Sequence, residues 1–436
     1  MAVSSPAFHE TLADAVGREH LLSDGSGLGR YAVDAITPRW VARPGSVEEV
    51  SRLLTLASAE GLAVAPRGSG SSLARGNPPR RLDLVLDLSR LSAITDYVPE
   101  DMVASAEAGL SLAALATRLG EQGQMLALDP IGGSCRSIGG VLSTDASGPL
   151  RFRYGTGRDL LLGVRFVQAD GTITWGGARV VKSVTGYDVP KLMVGSLGTL
   201  GVIVGATLRL HPLPAARGSW LFAQRSREAA ESFLVAVLDS SLEPDRVTLL
   251  TGEAARACGH MTGEPAVLVS VGSVGEAVRS QGAALARLAG SHGAQVHGLP
   301  DAVWEALGEA LTGPVALTLN CEPRRLVFWL GELERLSRRL GVRASVVAQA
   351  GSGVLQCALH GEVSGSRFCA DLVGPLRVGL GPEGGSLVVD RVSPALKTDL
   401  DVWGPIDPES LALMSRIKRE FDPFGILNPG RFVGGL

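Results

Sequence analysis

Apolar and polar positions follow a helical spacing along residues 44–60, after a Pro-Gly-Ser start and up to Gly61, which predicts an amphipathic helix. A strand is expected at 62–66, then a polar glycine-rich stretch (RGSGSSLARGNPP), then a second strand at 84–88. A helix over 111–121 and a strand over 161–168 continue the alternation, and Asp170-Gly171 reads as a two-residue hairpin turn into TITW. The β-rich apolar run 200–210 is closed by HPLPAARG, whose prolines predict a domain boundary near 211–218. Beyond it the pattern restarts. Helices are expected near 226–239, 274–290, 325–340 and 409–421, interleaved with strands near 266–271, 315–320, 343–348 and 386–390.

The chain has 436 residues, beyond the size at which single cores stop growing, so two domains are expected, 1–215 and 216–436. Hydrophobic residues make up 45% and charged residues 19%, with 56 glycines, which fits a loop-rich α+β globule and excludes global disorder. The formal charge of −3, with no run of Lys or Arg, gives no footprint for nucleic acid. No stretch approaches the roughly 18 apolar residues of a membrane span, and the N-terminus lacks the basic and apolar regions of a signal peptide, so a cytoplasmic location is expected, with membrane association only through a partner. The five cysteines are odd in number and never spaced as Cys-x-x-Cys, which argues against a disulfide framework, a zinc site or an iron–sulfur cluster and predicts no metal.

Three segments of the first half have the composition of a cofactor cradle. Pro66-Arg67-Gly68-Ser69-Gly70-Ser71-Ser72 lets consecutive backbone N–H groups converge on an anion, with hydroxyls as further donors. A dinucleotide fingerprint is excluded there, because Gly76, Asn77, Pro78 and Pro79 would break the helix such a loop must open. The second segment runs from Pro130, Gly132 and Gly133 through Ser137, Ile138, Gly139 and Gly140 to Thr144, Ser147 and Gly148, and its small residues admit a large flat ligand. The third, GSLGTLGVI at 195–203, lacks the Gly-Lys-Ser/Thr ending of a nucleotide-binding P-loop. Each segment alone also reads as a turn or a close packing contact; the three in order on one domain carry the signal.

Taken with RYGTGRDLLLGV at 153–164, GYDVPKLMVGSLGTLGVI at 186–203 and FDPFGILNPGRF at 421–432, these segments resemble the vanillyl-alcohol-oxidase family of flavoproteins. VVKSVTGYDVPKLMVGSLGTLG, QAGSGVL at 349–355 and SLVVDRVSPALKTDLDVWGP look most like the FAD-binding subunits of glycolate oxidase complexes. The resemblance implies a PCMH-type FAD-binding domain of two α/β subdomains over 1–215, followed by a C-terminal α+β, ferredoxin-like cap. It implies FAD with its pyrophosphate at 66–72, its ring system and ribityl chain at 129–148, its adenine side at Val202 and Ile203, and Asn428 near the flavin ring. It further implies a small 2-hydroxy-acid substrate of the glycolate or D-lactate type, with a second flavoprotein subunit and an iron–sulfur subunit as partners.

The sequence departs from the family pattern in two places. No histidine occurs from 21 to 210, so FAD attached covalently through the first loop is not expected. In the cap, the stretch that carries two metal-binding histidines in 2-hydroxy-acid dehydrogenases of this branch reads Ala348 to Gln356, with Gln349 and Gln356 in their places. The catalytic residues are therefore left unassigned. Gln349 and Asp390 are candidates by position, Arg324, Arg325, Arg391 and Lys397 are candidate carboxylate anchors, and the cap histidines are isolated. Three readings follow: a subunit that relays or generates flavin electrons within a complex, a stand-alone FAD-dependent dehydrogenase, and a non-catalytic flavoprotein scaffold.

Overall fold

The computed structural model describes residues 6–23, 25, 27–178, 186–363 and 365–436; the 180–185 part of the motif quoted above lies outside them. The helix predicted at 44–60 forms as Val47–Glu60. The Ser46 hydroxyl accepts from the Glu49 N–H at its start, Gly61 caps its end at φ 62°, and Val50, Leu53, Leu54 and Ala57 are fully buried. Strands Trp40–Ala42, Leu84–Asp87 and Val64–Arg67 run parallel in one sheet, with Leu21–Leu22 antiparallel at its edge.

A second sheet of five antiparallel strands holds Val202–Arg209 at its centre, between Val103–Glu107 and Leu161–Val167. The hairpin after Leu161–Val167 has a three-residue turn where two residues were expected. The Gln168 N–H donates to the Thr172 carbonyl, and Gly171 takes φ 90°, a conformation glycine adopts at little cost. The two sheets share one core, which also takes in Ile426 and Leu427 from the far end of the chain.

The second half builds one antiparallel sheet of eight strands among the described residues, in the order 295–299, 216–223, 266–273, 246–250, 343–349, 354–360, 315–320, 386–391. Helices Arg227–Leu238, Gly275–Ser291 and Leu326–Arg339 pack on it around a separate core. After helix Pro408–Phe421 the chain returns to the first half, where the Val64 N–H donates to the Ile426 carbonyl and the Asn428 N–H to the Val64 carbonyl. That return is clamped by Lys418, whose buried ammonium donates to Asp422 at 2.5 Å and to the carbonyls of Thr199 and Leu427.

Candidate functional site

The end of strand Val64–Arg67 turns directly into the first glycine-rich segment, and the chain makes turns there instead of opening a helix. Pro66 to Leu73, Gly139, Gly140, Ser143, Thr144, Gly198, Ile203, Asn428 and Arg431 line one open cavity. All three sequence segments and the C-terminal return therefore meet at one place.

The glycines here let neighbouring segments pack closely around the cavity. A Cβ at Gly68 would lie 1.9 Å from the Ser137 hydroxyl, and one at Gly198 would lie 2.6 Å from the Pro66 ring. Asn428 Oδ1 is buried without a partner at the cavity wall, while its Nδ2 donates to the Leu197 carbonyl at 2.6 Å. The Ser69 N–H is held by Ser137 Oγ at 3.3 Å, whereas the N–H groups of Gly70, Ser71 and Ser72 have no acceptor among the described residues. Free amides, small residues and an orphaned amide oxygen around an open cavity fit the pyrophosphate and polar chain of a dinucleotide cofactor.

Several expected contacts lie elsewhere. Pro130, Gly132 and Gly133 line a second cavity of about 200 Å³, with Asp129, Arg246, Asp301 and Trp304. Ser137 and Ile138 stand behind the first loop, Ser147 accepts from Arg151, and a Cβ at Gly148 would meet the Asp129 carbonyl. Val202 points into the core while Ile203 faces the cavity, as alternation along a strand requires.

Sequence reasoning missed Arg431, whose guanidinium is buried beside the cavity and donates to the carbonyls of Leu73 and Arg75. Burial pushes its pKa down to about 10. The flanking FDPFGILNPGRF motif contained it, but an arginine that organises carbonyls has no spacing signature.

None of the proposed carboxylate anchors is free at a cavity. Arg324 pairs with Glu322, Arg325 with Glu383, and Arg391 donates to the Leu311 carbonyl. Lys397 is sealed against Asp34 at 2.8 Å and the carbonyls of Ala74 and Gly76. Among the cations of the first half, Arg75 and Arg136 lie beside Asp390 of the second. Arg75 pairs with Asp390 at 3.4 Å, so the fold brings this candidate to the FAD-domain side. Gln349 donates to Gln356 at 3.0 Å and keeps its own carbonyl oxygen buried and unpartnered. Among the described residues no group of three or more His, Cys, Asp or Glu is placed to hold a metal ion, and no helix is long and apolar enough to cross a membrane.

Residues 38–177 match the FAD binding domain family, and residues 405–432 match the C-terminal domain of FAD linked oxidases. Glycolate oxidase subunit GlcD of Bacillus subtilis is 30% identical over 272 residues, 60% of this chain and 58% of that protein. D-2-hydroxyglutarate dehydrogenase of Xanthomonas citri pv. viticola is 37% identical over 211 residues, 47% of this chain and 44% of that protein. The chain thus spans about half the length of these two relatives. Substrate-bound p-cresol methylhydroxylase shares the fold with a TM-score of 0.76 at 15% identity, over 97% of this chain and 95% of that one. The matched segments are thus an FAD binding domain at 38–177 and the C-terminal segment of FAD linked oxidases at 405–432.

Proposed function

We propose that the chain binds FAD non-covalently in the cavity lined by Pro66 to Leu73, Gly139, Gly140, Thr144, Gly198 and Asn428, and serves as the FAD-binding subunit of a 2-hydroxy-acid oxidoreductase of the glycolate or D-lactate type. The observation that carries this reading is the convergence of three glycine-rich segments and Asn428 on one cavity with free backbone amides. The amides of Gly70, Ser71 and Ser72 would hold the pyrophosphate. Bound flavin supplies a two-electron acceptor for the carbon–hydrogen bond of the alcohol. The protein's own part is to bind the acid, orient it and hold the proton of its hydroxyl; we assign the last task to Asp390, which accepts a hydrogen bond from Thr318 at 2.5 Å.

The five cysteines are free thiols, and burial raises the pKa of Cys258, Cys321 and Cys357. Electrons leaving the flavin would therefore pass to an acceptor outside the chain, and a second flavoprotein subunit and an iron–sulfur subunit are the partners proposed. The test is an anaerobic absorbance spectrum of the purified chain before and after glycolate or D-lactate. Bleaching of the flavin by either acid supports substrate oxidation by this subunit. Bleaching by dithionite alone supports a relay role, and a flavin that neither reduces would overturn the redox reading.

A further inference from the structure

One surface of the cap sheet carries a row of polar side chains across five neighbouring strands: Thr248, Gln349, Gln356, Thr318 and Asp390. Register pairs Thr248 with Gln349 and Gln356 with Thr318, and hydrogen bonds join Gln349 to Gln356 and Thr318 to Asp390. Arg246, two residues before Thr248 on the same strand face, pairs with Asp129 at 3.0 Å, and Asp390 pairs with Arg75. The row therefore looks onto the first domain.

Three polar atoms on this side are buried without a partner, Thr248 Oγ1, Gln349 Oε1 and Arg136 Nε, while Arg75 Nε and Asp390 Oδ1 have only each other, at 3.4 Å. An unsatisfied buried polar group is costly, so three together mark a place where a bound molecule completes the bonding. Arg136 makes no ion pair among the described residues; burial and the neighbouring Arg75 disfavour its charge, and Asp390, already paired with Arg75, offsets them only in part. Around it, Arg75 faces Asp390, while Arg151 faces Asp145. Two such offset pairs plus Arg136 leave one positive charge uncompensated, which suits a monoanion. The glutamine amides offer a donor and an acceptor for a neutral oxygen.

We propose that Arg136, helped by Arg75, anchors the carboxylate of a small hydroxy- or oxo-acid in this gap, while the Gln349–Gln356 amide pair holds the acid's second oxygen without a metal ion. This deepens the oxidoreductase reading and rests on it for the ligand class. Arg136 was read only as part of a glycine-rich stretch, and no motif links it to residues more than 200 positions away.

The probe is oxamate, a redox-inert monoanion, titrated calorimetrically into the full FAD-loaded chain with EDTA present, and FAD content is assayed on every variant. The wild type binds oxamate; Arg136→Gln weakens it at least tenfold with FAD content unchanged, and Arg136→Lys recovers part of the loss. Gln349→Leu, on the opposite wall, weakens binding severalfold and serves if the Arg136 variants fold poorly. Unchanged affinity in Arg136→Gln and Gln349→Leu, no binding to FAD-loaded wild type, or dependence on a metal removed by EDTA overturns the inference alone. Loss of FAD in Arg136→Gln would reassign Arg136 to the cofactor phosphates and also overturn it. A wild type that holds no FAD defeats the underlying reading, and the inference falls with it.

Discussion

The side-chain amide of Asn428 donates to the Leu197 carbonyl at 2.6 Å, and both residues hold left-handed backbone, φ 44° and φ 52°. Left-handed φ is unfavourable for a residue with a Cβ, and least so for asparagine. The bond fixes two such residues against each other at the wall of the cavity. Asn428→Ala is expected to destabilise the fold by about 2 kcal/mol, from a lost hydrogen bond and a less tolerant backbone. Denaturant unfolding measures this directly, and an unchanged midpoint would show that the clasp is incidental.

Lys397, a candidate carboxylate anchor by sequence, serves the fold instead. Its ammonium is sealed against Asp34 and two carbonyls, and burial lowers its pKa in spite of the nearby carboxylate. Lys397→Met strands a buried Asp34 and is expected to cost about 3–5 kcal/mol. If a small acid bound to the folded variant with a strongly reduced affinity at unchanged stability, Lys397 would be a ligand group after all.

The elements with local signals were legible. Helix Val47–Glu60 has its cap, its spacing and its terminal glycine in the sequence. Helix Ile138–Thr144 does not: Gly139 and Gly140 are poor helix formers, and close packing holds the turn, since a Cβ at Gly139 would lie 2.7 Å from the Ala108 side chain. Strands Arg246–Leu250 and Val354–His360 were not singled out, because every Arg246–Leu250 position is buried and no alternation shows. The cofactor loops could be read because glycine clusters have a composition. Arg75 and Arg136 could not, because they lie in loops of the first half and only its docking on the cap brings them to Asp390, a candidate by position alone.

Burial of Asp129 raises its pKa to about 6 from an ordinary value of 3.8, against the pull of Arg246. A raised carboxyl pKa means that the folded state holds the proton more tightly than the unfolded chain. Its contribution is therefore full below pH 3.8 and is lost as pH rises through about 6. The shift corresponds to about 3 kcal/mol across that window. Asp129→Asn, which cannot titrate, should show a flatter dependence of unfolding free energy on pH between these limits. Parallel curves for the two proteins would contradict the assignment.

The most direct test of the account is flavin release. Purified chain, precipitated with acid, should leave FAD in the supernatant and none on the protein. Gly198→Val, whose side chain would collide with the Pro66 ring across the cavity, should lose most of that flavin while keeping a cooperative unfolding transition. Flavin that stays with the precipitated protein, a wild type free of flavin, or a folded Gly198→Val that retains full FAD would contradict a dissociable cofactor held in this cavity.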